Sequence, residues 1–123
     1  MRRDNYDLKE RTIEFARAVL ATVKTKRSQV SPDITKQLSR SATSVAANYM
    51  EALVSESTKD FRHKCCICAK EAKESWFWLR LISPPHTMVI AEDVRLVQEA
   101  LELTKIFCSI RRTCDQKRAR GSG

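Results

Sequence analysis

Glycine and proline are nearly missing from this chain: there are two Gly and three Pro in 123 residues. A β-rich fold of this length needs more turn residues, so the scarcity argues for long helices joined by few loops. Long apolar runs are missing too. No stretch reaches the roughly 20 residues needed to cross a bilayer. The opening Met1-Arg2-Arg3-Asp4-Asn5-Tyr6 lacks the apolar core of a secretion signal. The expectation is a cytoplasmic protein with no membrane partner, its five cysteines kept as thiols. No internal repeat, zinc finger or ribonucleoprotein motif is present. The two histidines, His63 and His86, stand far apart, and neither sits beside an acid and a nucleophile. That pattern leads us to expect no enzyme, no cofactor and no resident metal.

What is present is charge and helical period. Charged residues make up 31% of the chain and the net charge is +8, a balance that favours anionic partners. The length suits one domain with a real core. Apolar residues recur at spacings of three and four in four segments, about 8–26, 32–54, 58–83 and 92–114. The stripes are Leu8, Thr12, Phe15, Val19 and Val23; Ile34, Leu38, Ala42, Val45, Tyr49 and Leu53; Phe61, Cys65, Cys68, Ala72, Trp76, Leu79 and Ile82; and Leu96, Ala100, Leu103, Phe107 and Ile110. Ser31-Pro32-Asp33 reads as the start of the second helix and Ser57 or Thr58, with Asp60, as the start of the third. Pro84-Pro85 ends the third helix. Residues 115–123 read as a basic, frayed tail. Helices of about 22 residues joined by short loops pack as an antiparallel up-down four-helix bundle, so the fold class is all-α.

The second segment, Gln37-Leu38-Ser39-Arg40-Ser41-Ala42-Thr43-Ser44-Val45-Ala46-Ala47-Asn48-Tyr49-Met50-Glu51-Ala52, resembles the most specific stretch of a bacterial four-helix-bundle family, the intervening-sequence proteins of 23S ribosomal RNA. Lys59-Asp60-Phe61-Arg62-His63-Lys64, Lys70-Glu71-Ala72-Lys73-Glu74-Ser75 and the aromatic run Trp76-Phe77-Trp78-Leu79 are similar to its next helix. Asp7-Leu8-Lys9-Glu10-Arg11-Thr12 resembles its opening. The likeness spans roughly Asp7 to Ile110. It implies a bundle that assembles into a homo-oligomeric ring, typically a pentamer, with no catalytic residues to carry over. It also implies relatives that serve as accessory subunits of reverse transcriptases in diversity-generating retroelements. The chain departs from the pattern in lacking Phe-Pro after the first helix and in the cysteines of its third.

Three groups of residues are candidates for function. The cations Arg2, Arg3, Arg111, Arg112, Lys117, Arg118 and Arg120 fall at one end of an up-down bundle. Lys24, Lys26, Arg27, Lys36 and Arg40 gather around the first loop at the other. Together they can bind the phosphates of RNA or DNA. Arg40, Ser41, Ser44, Asn48, Tyr49 and Glu51 form a polar packing or interface motif. In it Arg40 can pair with Glu71 or Glu74, or reach phosphate. Phe77 and Trp78 point off the core stripe, as subunit-interface aromatics do more often than base-stacking ones. Cys65-Cys66-Ile67-Cys68 holds a C-x-x-C spacing inside a helix with no preceding strand. These read as small core residues rather than a redox pair or, with Cys108 or Cys114, a zinc site. The remaining readings are a scaffold for a protein partner such as a reverse transcriptase, and a cysteine-based metal or redox protein.

Overall fold

The computed structural model describes residues 7–83 and 91–121. Its four helices are α1 (Leu8–Lys26), α2 (Pro32–Leu53), α3 (Thr58–Ile82) and α4 (Ala91–Ala119). α2 and α3 begin where polar caps precede apolar stripes. Ser31 Oγ accepts from the Asp33 amide at 3.2 Å, and Ser57 Oγ accepts from the Asp60 amide at 3.0 Å. Each cap satisfies one of the donors a helix start leaves unpaired.

The helices pack in a ring: α1 on α2, α2 on α3, α3 on α4, and α4 back on α1, with the last contact the slightest. The diagonal pairs do not approach closely, so the centre is filled by side chains. Phe15, Val19, Leu38, Ala42, Val45, Cys65, Cys68, Ala72, Leu79, Leu96, Leu103 and Phe107 form that core. Tyr49 closes it, meeting Phe107 edge to face at 5.4 Å. Such a pair adds about 1 kcal/mol to its area term.

Two points correct the sequence reading. α4 runs on to Ala119, so Asp115–Ala119 is helix where a frayed tail was expected. Within that extension Asp115 accepts two hydrogen bonds from Arg62 of α3, a contact between the last turns of α4 and the bundle. In α3 the buried position is Ser75, while Trp76 is half-buried against the core. Pro84-Pro85 lies outside the described residues.

Candidate nucleic-acid interface

The cations at the two ends differ in how free they are. Around the α1–α2 connection, Lys24, Arg27 and Lys36 are exposed. Lys26 is not available. Its ammonium lies 3.1 Å from the Asp93 carboxylate at the start of α4, and the two side chains are only 12% and 7% exposed. Lys26, expected to be a phosphate ligand, is placed here against a buried acid that it neutralises. Arg40 is committed as well. It reaches both carboxylate oxygens of Glu71 at 3.2 Å and also bonds Glu74, spanning α2 and α3. Hydrogen bonds donated to Glu74 and Glu71 raise the Arg40 pKa. Burial pushes the Glu74 carboxyl up, but bonds from Arg40 and Trp78 outweigh it and hold that group below its usual range.

At the other end Arg112, Lys117, Arg118 and Arg120 are exposed on the last turns of α4, and Arg111 is half-buried. Arg2 and Arg3 lie outside the described residues. Arg62, which sequence reasoning passed over, joins this end from α3 through Asp115. Periodicity could not reveal it, because the pair is 53 residues apart in the chain.

The polar motif of α2 is mostly an internal seam. Ser41 and Ser75 are fully buried, and their hydroxyls meet at 2.8 Å between α2 and α3. Each also reaches a carbonyl of its own helix, Ser41 to Leu38 at 3.2 Å and Ser75 to Glu71 at 2.9 Å. No histidine is among their partners, so neither hydroxyl has a base to activate it. Asn48 donates to the Ser44 carbonyl and hydroxyl, both at 2.9 Å. Glu51 accepts from Lys64 of α3. Small side chains here let two backbones approach closely while their hydroxyls stay satisfied.

The α3 aromatics are more open. Phe77 is 49% exposed and meets Trp78 edge to face at 4.9 Å. Trp78 donates its indole N–H to Glu74 at 3.2 Å. Lys73 and Arg80 lie over the Trp76 ring at 4.4 and 5.3 Å. Trp76, Phe77, Arg80 and Leu81 together line an open shelf of about 320 Å³.

The cysteines sit in surroundings that quiet a thiol. Cys65 and Cys68 are fully buried, and Cys68 donates its S–H to the Val45 carbonyl at 3.4 Å. Burial pushes the Cys65 thiol up to about 12 and moves Cys68 in the same direction. The thiolate is the reactive and metal-binding form, so both groups are chemically quiet at neutral pH. Among the described residues no three His, Cys, Asp or Glu side chains converge to hold a metal ion. No described helix is long and apolar enough to cross a membrane.

Four helices around one apolar core, a buried serine pair between α2 and α3, and exposed cations at the ends define a basic all-α bundle. The chain belongs to the 23S rRNA-intervening sequence protein family, which it matches over residues 4–109. It is also similar to a crystal structure of a protein of unknown function from the S23 ribosomal protein family of Bacteroides thetaiotaomicron VPI-5482. The two are 31% identical with a TM-score of 0.74, over 84% of this chain and 96% of that one. Among curated proteins none matches.

Proposed function

We propose that this protein is a non-enzymatic, homo-oligomeric nucleic-acid-binding protein that holds RNA by its phosphate backbone. The observation that carries this reading is the uneven charge of the bundle. Glu71 and Glu74 of α3 and most of the acids on α4 are spent on internal pairs with Arg40, Arg11, Lys26 and Arg62. Arg112, Arg118 and Arg120 at the end of α4, and Lys24, Arg27 and Lys36 near the first loop, lie open to solvent. Cations of this kind gain affinity by releasing the counterions condensed on a polyanion. The family name, with its 23S ribosomal RNA, makes RNA the first polyanion to test.

An exposed apolar face supports the homo-oligomeric part of the reading. Phe77 and Leu81 are 49% and 53% exposed on one face of α3, a surface that a second subunit can cover. Repetition around an axis multiplies each basic end. The same exposed face gives a second reading some footing, that of an accessory subunit whose partner is a protein such as a reverse transcriptase.

Light scattering with and without a short structured RNA, at low and high salt, tests the proposal. The expected result is a defined oligomer that takes up RNA at low salt and releases it at high salt. Binding that does not change with salt refutes phosphate contact as the mechanism. An oligomer indifferent to RNA moves the function to a protein partner.

A further inference from the structure

The family match ends at residue 109, and the helix does not. The turns of α4 beyond it place Arg111, Asp115 and Arg118 at spacings of four and three, on one face. That face meets Arg62 of α3, which grips Asp115 with both its Nε and its Nη2, the latter at 3.2 Å. We propose that Arg62, Arg111 and Arg118, gathered around Asp115, form a phosphate site for a nucleic-acid backbone, with Asp115 as the resident anion that an entering phosphodiester displaces. This rests on the nucleic-acid reading above and specifies where on the bundle it acts.

The charge balance is the first argument. Three guanidinium groups act on one carboxylate, Arg62 most strongly through its hydrogen bonds, then Arg111 and Arg118 through their charge alone. Those interactions hold the Asp115 carboxyl below its usual range, as an anion expected by several cations. Only Arg62 is satisfied by it. Arg111 is half-buried, and its Nε–H is shielded from solvent with no hydrogen-bond partner among the described residues. Arg118 is exposed and makes no ion pair among the described residues. A phosphodiester that displaces Asp115 therefore meets three guanidinium groups, of which only Arg62 gives up a partner.

The chemistry of the cations is the second argument. A guanidinium offers parallel N–H donors that match the two free oxygens of a phosphodiester, which an ammonium does not. The opposite end is dominated by lysine and has lost Lys26 to Asp93. Beyond the cluster, Arg112, Lys117 and Arg120 continue the exposed surface of α4. An extended run of cations suits a polyanion better than a single carboxylate.

The test is fluorescence anisotropy of a short labelled single-stranded RNA at several salt concentrations, with charge-matched controls. R111A/R118A removes two cations from the site, and K24A/R27A removes two from the opposite end. The first pair is expected to weaken binding about tenfold more than the second and to lower the salt slope by about 1.5. D115N is expected to tighten binding at least about twofold, by removing the competing anion. E92Q, the same charge change on the first turn of α4, is not. A gain of affinity cannot come from a misfolded variant. Equal losses from the two double variants, or no gain from D115N, overturn the site while leaving the broader reading intact. Failure of the unmodified protein to bind RNA at low salt overturns both.

Discussion

Of the ion pairs between described residues, Lys26–Asp93 is the most enclosed, and it makes the sharpest test of how charge is used here. The Asp93 Oδ2 atom is sealed from solvent and lacks an aligned hydrogen bond, so its main support is the ammonium 3.1 Å away. Removing one partner of a buried pair typically costs about 3–5 kcal/mol, because the other charge stays behind uncompensated. Asp93 lies in the first turn of α4, where the helix dipole offsets up to about 1 kcal/mol of that. K26M should therefore destabilise the protein by about 2–4 kcal/mol. D93N should cost about 1–2 kcal/mol, since a lysine chain can carry its ammonium outward to water. The double variant should recover much of the loss, because it leaves no charge to solvate. Urea denaturation with an unchanged m-value measures all three. If K26M costs less than about 1 kcal/mol, or the two effects simply add, the pair is not desolvated and the reasoning is wrong. The same variant separates structure from function: K26M should leave RNA affinity unchanged once folding is accounted for.

Two further predictions concern the core. S41A or S75A should each cost only about 1 kcal/mol in thermal or urea melts, because the surviving hydroxyl keeps its own helix carbonyl. S41L, which adds bulk between α2 and α3, should cost more than either, about 1–3 kcal/mol. In reducing buffer, stability should fall as pH rises from about 9 through about 12. The raised Cys65 thiol keeps its proton in the folded state while the unfolded chain loses it, so deprotonation favours unfolding. C65A/C68A, despite a cost in packing, should flatten that alkaline limb, and an unchanged slope would show that the buried thiols do not drive it.

How far the sequence reveals this molecule depends on whether the deciding interaction is local. The stripes through Phe15, Val19 and Val23, through Leu38, Ala42 and Val45, and through Leu96, Ala100, Leu103 and Phe107 follow from helical spacing alone, and all are buried. The caps at Ser31 and Ser57 are equally local. Arg40 with Glu71 and Glu74 was readable because α2 and α3 are consecutive and antiparallel. Ser75 was missed because a large aromatic at Trp76 attracts the core assignment. Yet the buried steps Cys65, Cys68, Ala72, Ser75 and Leu79 keep the three-four rhythm, and Ser41 across the seam supplies the partner a buried serine needs.

The charges were harder for a reason that also bears on function. Arg11 with Glu99, Lys26 with Asp93 and Arg62 with Asp115 join residues far apart in the chain, and which cation meets which acid is set by how antiparallel helices slide past each other. A count of +8 gives the sum and says nothing of its distribution. The structure shows Lys26, Arg40 and Arg62 each set against a carboxylate of another helix. The contact that the end of α4 makes through Asp115 is equally non-local, since its partner Arg62 lies on α3. Which cations stay exposed and which meet a carboxylate is thus set by the register of one helix against the next, which no single segment of the sequence contains.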